Sequence, residues 1–340
     1  MAASPRNGRD VPGPTAPHLA SGGSVLTGFW DVVSFLGSSA FYVPVILVVF
    51  WCVAPRQAAR AAVILLFGAF VNTFLKLLFH DPRPYWTDPT IEGEQPHSSF
   101  GMPSGHAQNA PVAWGFWAAQ TRRRSLWAAA AVIVALIGVS RVFLGVHSIG
   151  QVLAGWGIGL TFLVVALYAE PFIVSWWTRH HLAVQMTLAL VVSLVLLGAA
   201  WVALQPIEDW RWPSAWARAI RASGGETDSV DLIESSMAAG GFFGVLAGLS
   251  LLAARGWFDP GGTPWRRLAR VPVALAGAAV VYLPVLLLDG TGLLQAFIVQ
   301  AVLGFWVTAG APESFVRLRL AARPTRAVTR PGDERSELRQ

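Results

Sequence analysis

Nine apolar stretches succeed one another along this chain, at about residues 39–54, 57–79, 105–120, 126–143, 148–168, 182–204, 237–254, 270–288 and 292–309. About 20 apolar residues suffice for a helix to cross a bilayer, and within hydrocarbon only helices and closed barrels satisfy every backbone polar group. The expected fold is therefore an all-α polytopic membrane helical bundle of about nine transmembrane helices. Composition agrees, since 54% of the 340 residues are hydrophobic and 13% are charged, where soluble domains carry about 25% charge. A water-soluble enzyme, a nucleic-acid-binding domain or a disordered chain each needs more surface charge than this, so no nucleic-acid partner is expected. The single cysteine, Cys52, excludes an intramolecular disulfide and a Cys-rich metal site.

Residues 1–24 are rich in Pro, Gly, Ser and Ala and are expected to form a flexible tail, unlike a cleavable signal peptide. Residues Val25 to Leu36 suit a short amphipathic helix at the membrane interface. Arginines set the orientation. One set of alternate loops holds Arg56, Arg60, Arg122 to Arg124, Arg179, Arg255, Arg266, Arg267 and Arg270, and joins a basic tail over 310–340. The opposite loops hold Arg83, Arg211, Arg218 and Arg221 among many carboxylates, including Glu92, Glu94, Glu208 and Asp231. Cytoplasmic loops retain Lys and Arg, so the expected arrangement has the N-terminus outside and the C-terminus in the cytoplasm. The net charge of +6 is then a topology signal, compatible also with a basic tail on anionic lipid.

Arginine outnumbers lysine 24 to 1, and the one lysine, Lys76, falls near the outer end of the second stretch. Alone it is equally a snorkelling cation. Seven residues on, Arg83 lies between Pro82 and Pro84, so the helix is expected to end there in a rigid elbow. Two cations at one membrane face repel unless a polyanion such as phosphate lies between them. Gly101-Met102-Pro103-Ser104-Gly105-His106 then precedes the third stretch. Ser104 is a candidate N-cap, and Gly105 admits close backbone approach at a helix N-terminus that attracts anions. A capped span with an incidental histidine accounts for this segment equally well in isolation. His106 is suitably placed to donate a proton to a bound anion.

The third group is Ser140-Arg141 with His147 six residues after the arginine. Arg141 adds a third cation, and His147 begins the next helix beside it. Gln151 stands four residues beyond His147, on one helical face with it, where its amide oxygen can hold the second ring nitrogen. Three cations, a helix N-terminus and two histidines are equipment for phosphoryl transfer. No P-loop, His-Glu-x-x-His or Cys-x-x-Cys arrangement is present, and no metal or other cofactor is expected.

Lys76-x6-Arg83-Pro84, Pro103-Ser104-Gly105-His106 and Ser140-Arg141-x5-His147 resemble the three ordered motifs of the type-2 phosphatidic-acid phosphatase superfamily, across residues 60 to 165. The resemblance implies a metal-independent phosphatase whose His147 attacks phosphorus to give a phosphohistidine while His106 protonates the leaving oxygen. It also implies that Lys76, Arg83, Ser104, Gly105 and Arg141 bind the phosphoryl oxygens. The implied organisation is a phosphatase-type core over 25–180, additional spans over 181–309 and the basic tail. The implied substrate is a lipid phosphomonoester or isoprenyl diphosphate met at the outer face of a membrane, as in a bacterial plasma membrane. Most of the superfamily carries Asp four residues after the nucleophile. Gln151 resembles instead the glucose-6-phosphatase branch, so a soluble sugar phosphate is the leading alternative, followed by transfer to another acceptor and by an inactive phosphate-lipid binder.

Other polar residues have simpler expected roles. Asn72 suits an interhelical hydrogen bond, His80 and Asp81 suit a polar span end or a substrate entrance, and His97 suits a loop. The glycines Gly240, Gly241, Gly244 and Gly248 imply close helix packing. The segment from Gln205 to Glu234, with Trp210, Trp212 and Trp216, is either a flap over the site or a plain connector.

Overall fold

The computed structural model describes residues 23–95, 97–121, 123–227, 230–284 and 292–324. Most of the expected N-terminal tail, the last part of the eighth apolar stretch and the greater part of the basic tail lie outside the described residues. Over its described residues every one of the nine stretches coincides with a helix. The elements are α1 (Gly23–Phe35), α2 (Ser39–Cys52), α3 (Pro55–Phe79), α4 (Pro84–Thr87), α5 (Gly105–Thr121), α6 (Arg124–Phe143), α7 (Ile149–Thr178), α8 (Leu182–Leu204), α9 (Ser214–Ala222), α10 (Ile233–Ala254), α11 (Pro264–Tyr282), α12 (Leu293–Phe305) and α13 (Ala311–Arg317). A π-helical turn over Trp306–Gly310 joins the last two.

Six helical segments are long and apolar enough to cross a membrane, and α1 with α2, bent by 45°, make a seventh if the pair counts as one span. α5 has only 17 residues, and the first half of α11 carries Arg266, Arg267 and Arg270. The chain is thus a polytopic helical membrane protein, with these two helices short of the length or apolarity of a full span.

Local chemistry explains where helices begin and end. Ser38 accepts a hydrogen bond from the Phe41 N–H at 3.3 Å and starts α2. Pro55 opens α3 at a position where a missing N–H costs nothing. α3 ends at Phe79, before the expected proline elbow, because His80 turns into the left-handed region (φ 34°) and its N–H returns to the Lys76 carbonyl at 2.9 Å. Ser148 and Gln151 form a reciprocal capping box that starts α7.

Small residues then bring backbones together. On α7, a Cβ at Gly155 would lie 2.7 Å from the Ser104 carbonyl oxygen, and one at Gly159 would overlap the Gln108 carbonyl on α5. Gly240 and Gly244 of α10 meet the backbone of α12 in the same way, at Phe297 and Ala301, which fulfils the packing expected of that glycine run. Asn72 donates to Gln108 Oε1 at 3.0 Å and to the Pro103 carbonyl at 3.2 Å, and Gln108 Nε2 donates to the Gly68 carbonyl at 2.7 Å. This polar link between α3 and α5, with the glycine contact between α5 and α7, fixes these three helices against one another.

At the opposite end of the bundle Arg270 is fully buried. It donates to the carbonyls of Trp51, Pro260, Gly261 and Leu320 at 2.6–3.2 Å. Its hydrogen bonds hold α11 to the end of α2 and to the loops around it.

Candidate active site

The three motifs meet at one end of α3, α5 and α7. Arg83 is the hub. Its Nε donates to the Ser99 carbonyl at 2.8 Å and its Nη2 to Ser99 Oγ at 3.2 Å, while Nη1 donates to the Val146 carbonyl at 3.0 Å and lies 3.2 Å from His147 Nε2. Lys76 Nζ donates to the same Ser99 hydroxyl at 2.9 Å. One hydroxyl oxygen therefore sits between the two cations at a point where both direct their protons. No spacing rule pointed to Ser99.

His147 is buried and lies in the turn before α7, not in the helix as expected. Its N–H donates to the Arg141 carbonyl at 3.2 Å, and its Nδ1 lies 3.1 Å from Gln151 Oε1. The i, i+4 relation read from sequence is thus realised as a hydrogen bond, made possible because the capping box ties Gln151 back to Ser148. Burial, followed by the charges of Arg83, Arg141 and Lys76, pushes the His147 imidazole well below its ordinary value, only partly offset by the bond to Gln151. His147 is accordingly expected to remain neutral well below pH 6.5 in the free protein. Nitrogen-15 NMR of histidine-labelled protein, with the resonance assigned by its loss in His147→Asn, checks this; protonation near pH 6.5 contradicts it.

Ser104 departs from its expected role. Its carbonyl closes the first turn of α5, accepting from the Gln108 N–H at 2.9 Å, and its N–H donates to the Gln151 carbonyl at 3.1 Å. Its hydroxyl caps nothing: the fully buried Oγ has no hydrogen-bond partner among the described residues. Gly105 packs so closely that a Cβ there would stand 3.1 Å from Asn72 Oδ1. His106 follows on the first turn of α5, half-buried, and joins no hydrogen bond among the described residues.

Arg141 is fully buried. Its Nη1 donates to Ser34 Oγ and, at 2.6 Å, to Gln95 Oε1. Gln95 Nε2 in turn donates to Asp31 at 2.9 Å, so α1 reaches into the site with Ser34 and, through Gln95, with Asp31. Nε and Nη2 of Arg141 are buried and without partners among the described residues. Buried donors are rarely left unpaired, and these two, with Ser104 Oγ, are open valences of the site among the described residues. Its donors are cations, hydroxyls and N–H groups, a set that attracts an anion.

His97 is exposed in the loop before Ser99. Its N–H donates to the Tyr85 hydroxyl at 2.9 Å. It lies in a loop, as expected, and desolvation, then Arg83, Arg141 and Lys76, push its imidazole down. Asp81, just past the end of the second stretch, accepts from Gln151 Nε2 with its carboxylate. Beside the motifs, Trp86 and Phe100 pack edge-on against Trp212 and Trp210 at 5.2 and 5.3 Å between ring centroids. The segment carrying α9 is therefore docked on the residues that flank Arg83 and Ser99.

The motifs thus line a site in a helical membrane protein around the buried cations Arg83 and Arg141. The family model "PAP2 superfamily" matches residues 57–175, and "PAP2 superfamily phosphatase, transmembrane extension" matches residues 236–323. Phosphatidylglycerophosphatase B of Bacillus subtilis is 30% identical over 152 residues, covering 40% of this chain and 69% of that protein. Dolichyldiphosphatase of Saccharomyces cerevisiae is 24% identical over 171 residues, covering 44% and 71%. A crystal structure of a PAP2-type phosphatidylglycerolphosphate phosphatase from Bacillus subtilis is 24% identical with a TM-score of 0.39, covering 44% of this chain and 78% of the other. The chain belongs to the PAP2 superfamily.

Proposed function

We propose that this protein hydrolyses a lipid phosphomonoester or an isoprenyl diphosphate through a phosphohistidine, at the outer face of the membrane. The observation that carries the reading is the pair of bonds on His147: Nδ1 against Gln151 Oε1 and Nε2 against Arg83 Nη1. With the proton on Nδ1, the lone pair of Nε2 points where Arg83 can hold a phosphoryl oxygen. Nε2 attacks phosphorus, the phosphorus–oxygen bond to the leaving group breaks, and the departing oxygen takes a proton from His106. Water then gives a proton to His106 as its oxygen attacks the phosphohistidine, which releases phosphate and restores Nε2. Lys76, Arg83, Arg141, Ser104 Oγ and the Gly105 N–H neutralise the charge on the phosphoryl oxygens throughout.

The two curated relatives named above support a lipid substrate, one by a phosphomonoester name and the other by a diphosphate name. The arginine distribution supports an outside N-terminus, a cytoplasmic C-terminus and a site at the outer, in a bacterium periplasmic, face. The test is phosphate release by the detergent-purified protein, with EDTA present, from phosphatidic acid, phosphatidylglycerol phosphate, isoprenyl diphosphate, sphingosine phosphate and glucose 6-phosphate. Undiminished release from a lipid after chelation is the expected result. Preference for glucose 6-phosphate, or loss of release with EDTA, overturns it.

A further inference from the structure

We infer that Asp81 is a positioning residue that supplies, across the Gln151 amide, the negative charge needed by His147 as it is phosphorylated. The inference rests on the phosphohistidine reading above. Gln151 Nε2 donates to Asp81 Oδ2 at 2.6 Å and to the Pro82 carbonyl at 2.8 Å. Its Oε1 accepts from the Ser148 N–H at 3.2 Å and lies 3.1 Å from His147 Nδ1. The neighbours assign both ends of the amide. An ionised carboxylate and a carbonyl only accept, whereas a backbone N–H only donates. The oxygen end therefore faces His147, Nδ1 bears the proton, and Nε2 keeps the lone pair.

Pro82 and Ser148 already orient the amide, so the distinct contribution of Asp81 is charge. A neutral carbonyl stabilises an imidazolium less than a carboxylate does. When phosphorus bonds to Nε2 while Nδ1 stays protonated, the ring becomes cationic, in a site that already holds Lys76, Arg83 and Arg141. Asp81 polarises the amide through a charge-assisted hydrogen bond and adds its own field from the side away from phosphorus. It forms no ion pair among the described residues. Its carbonyl accepts from the Gly101 N–H at 2.8 Å, which ties it to the segment before Ser104. A Cβ at Gly101 would lie 2.8 Å from the Gln151 amide carbon, so the glycine leaves the room that the relay occupies.

The experiment measures phosphohistidine formation in single-turnover quench, with radiolabelled phosphatidic acid or isoprenyl diphosphate, for Asp81→Asn made in two backgrounds. In the native background the change keeps the shape, removes the charge and slows phosphoenzyme formation about tenfold with little change in KM. In Gln151→Asp a carboxylate touches His147 directly and Asp81 becomes a like charge beside it, so Asp81→Asn speeds phosphoenzyme formation. A merely structural Asp81 gives losses in both backgrounds, and that result overturns the proposal, as does an unchanged rate in the native one. If Gln151→Asp does not fold, the proton shift of His147 Nδ1–H decides: it moves upfield in Asp81→Asn under the proposal and stays in place if the proposal is wrong. Absence of any phosphohistidine in the native protein overturns the phosphohistidine reading itself, whereas its presence with an indifferent Asp81 overturns only the relay.

Discussion

Replacing His147 by alanine is expected to lower phosphate release by at least about ten-thousand-fold and to abolish the covalent intermediate. Magnitude follows from the proposed role: the substitution removes the proposed attacking atom and leaves the cations Lys76, Arg83 and Arg141, which on that proposal hold phosphate and can only orient water. The residue is buried, yet its side-chain contacts are with Arg83 and Gln151, so truncation leaves the helices in place. Substrate affinity should change little, since Lys76, Arg83, Arg141 and Ser104 remain. Rapid acid-free quench of the native protein should trap phosphate on a histidine, and the alanine variant should trap none. Turnover within about tenfold of native in His147→Ala, in protein that elutes and melts normally, contradicts the assignment of the nucleophile.

A second large effect is expected far from the chemistry, at Gly159. Here α7 touches the backbone of α5, and an added methyl would overlap the Gln108 carbonyl. Neither backbone can give way locally, so the helices must separate. α5 follows directly on Ser104 and carries His106, and α7 begins two residues after His147. A shift of about 1 Å between them is enough to cost about a hundredfold in rate. Gly159→Ala is thus expected to lose about a hundredfold in kcat while remaining a folded, less thermostable membrane protein. Gly157→Ala is the matched control, because nothing lies within 4 Å of a Cβ there, and it should be silent. Comparing kcat and melting temperature for the pair checks the argument, and equal behaviour of the two variants refutes it.

The helical nature of the chain was legible because hydrocarbon leaves the backbone few alternatives. Asn72 and Gly244 were legible for a related reason, since a polar or very small residue in a membrane helix has few roles besides packing. The three motifs were legible because phosphoryl chemistry restricts the side chains that serve it. Local conformation was read less well. The proline pair around Arg83 marked a helix end, but His80 ends α3 earlier by adopting a left-handed conformation that no composition rule selects. Ser104 matched the N-cap pattern, yet its carbonyl alone serves the helix and its hydroxyl is left free.

The sequence by itself determined the medium, the all-helical class and the inventory of cations and histidines, because each follows from the solubility of residue types or from the chemistry of particular side chains. Tertiary structure alone decided the connections. Ser99 between Lys76 and Arg83, Gln95 and Ser34 on Arg141, and Asp81 behind Gln151 join residues that are 16 to 107 positions apart. Such polar contacts carry no periodicity. They arise only when glycine contacts and a buried amide network have fixed the helices in register, after which a side chain is defined by what it meets across the bundle.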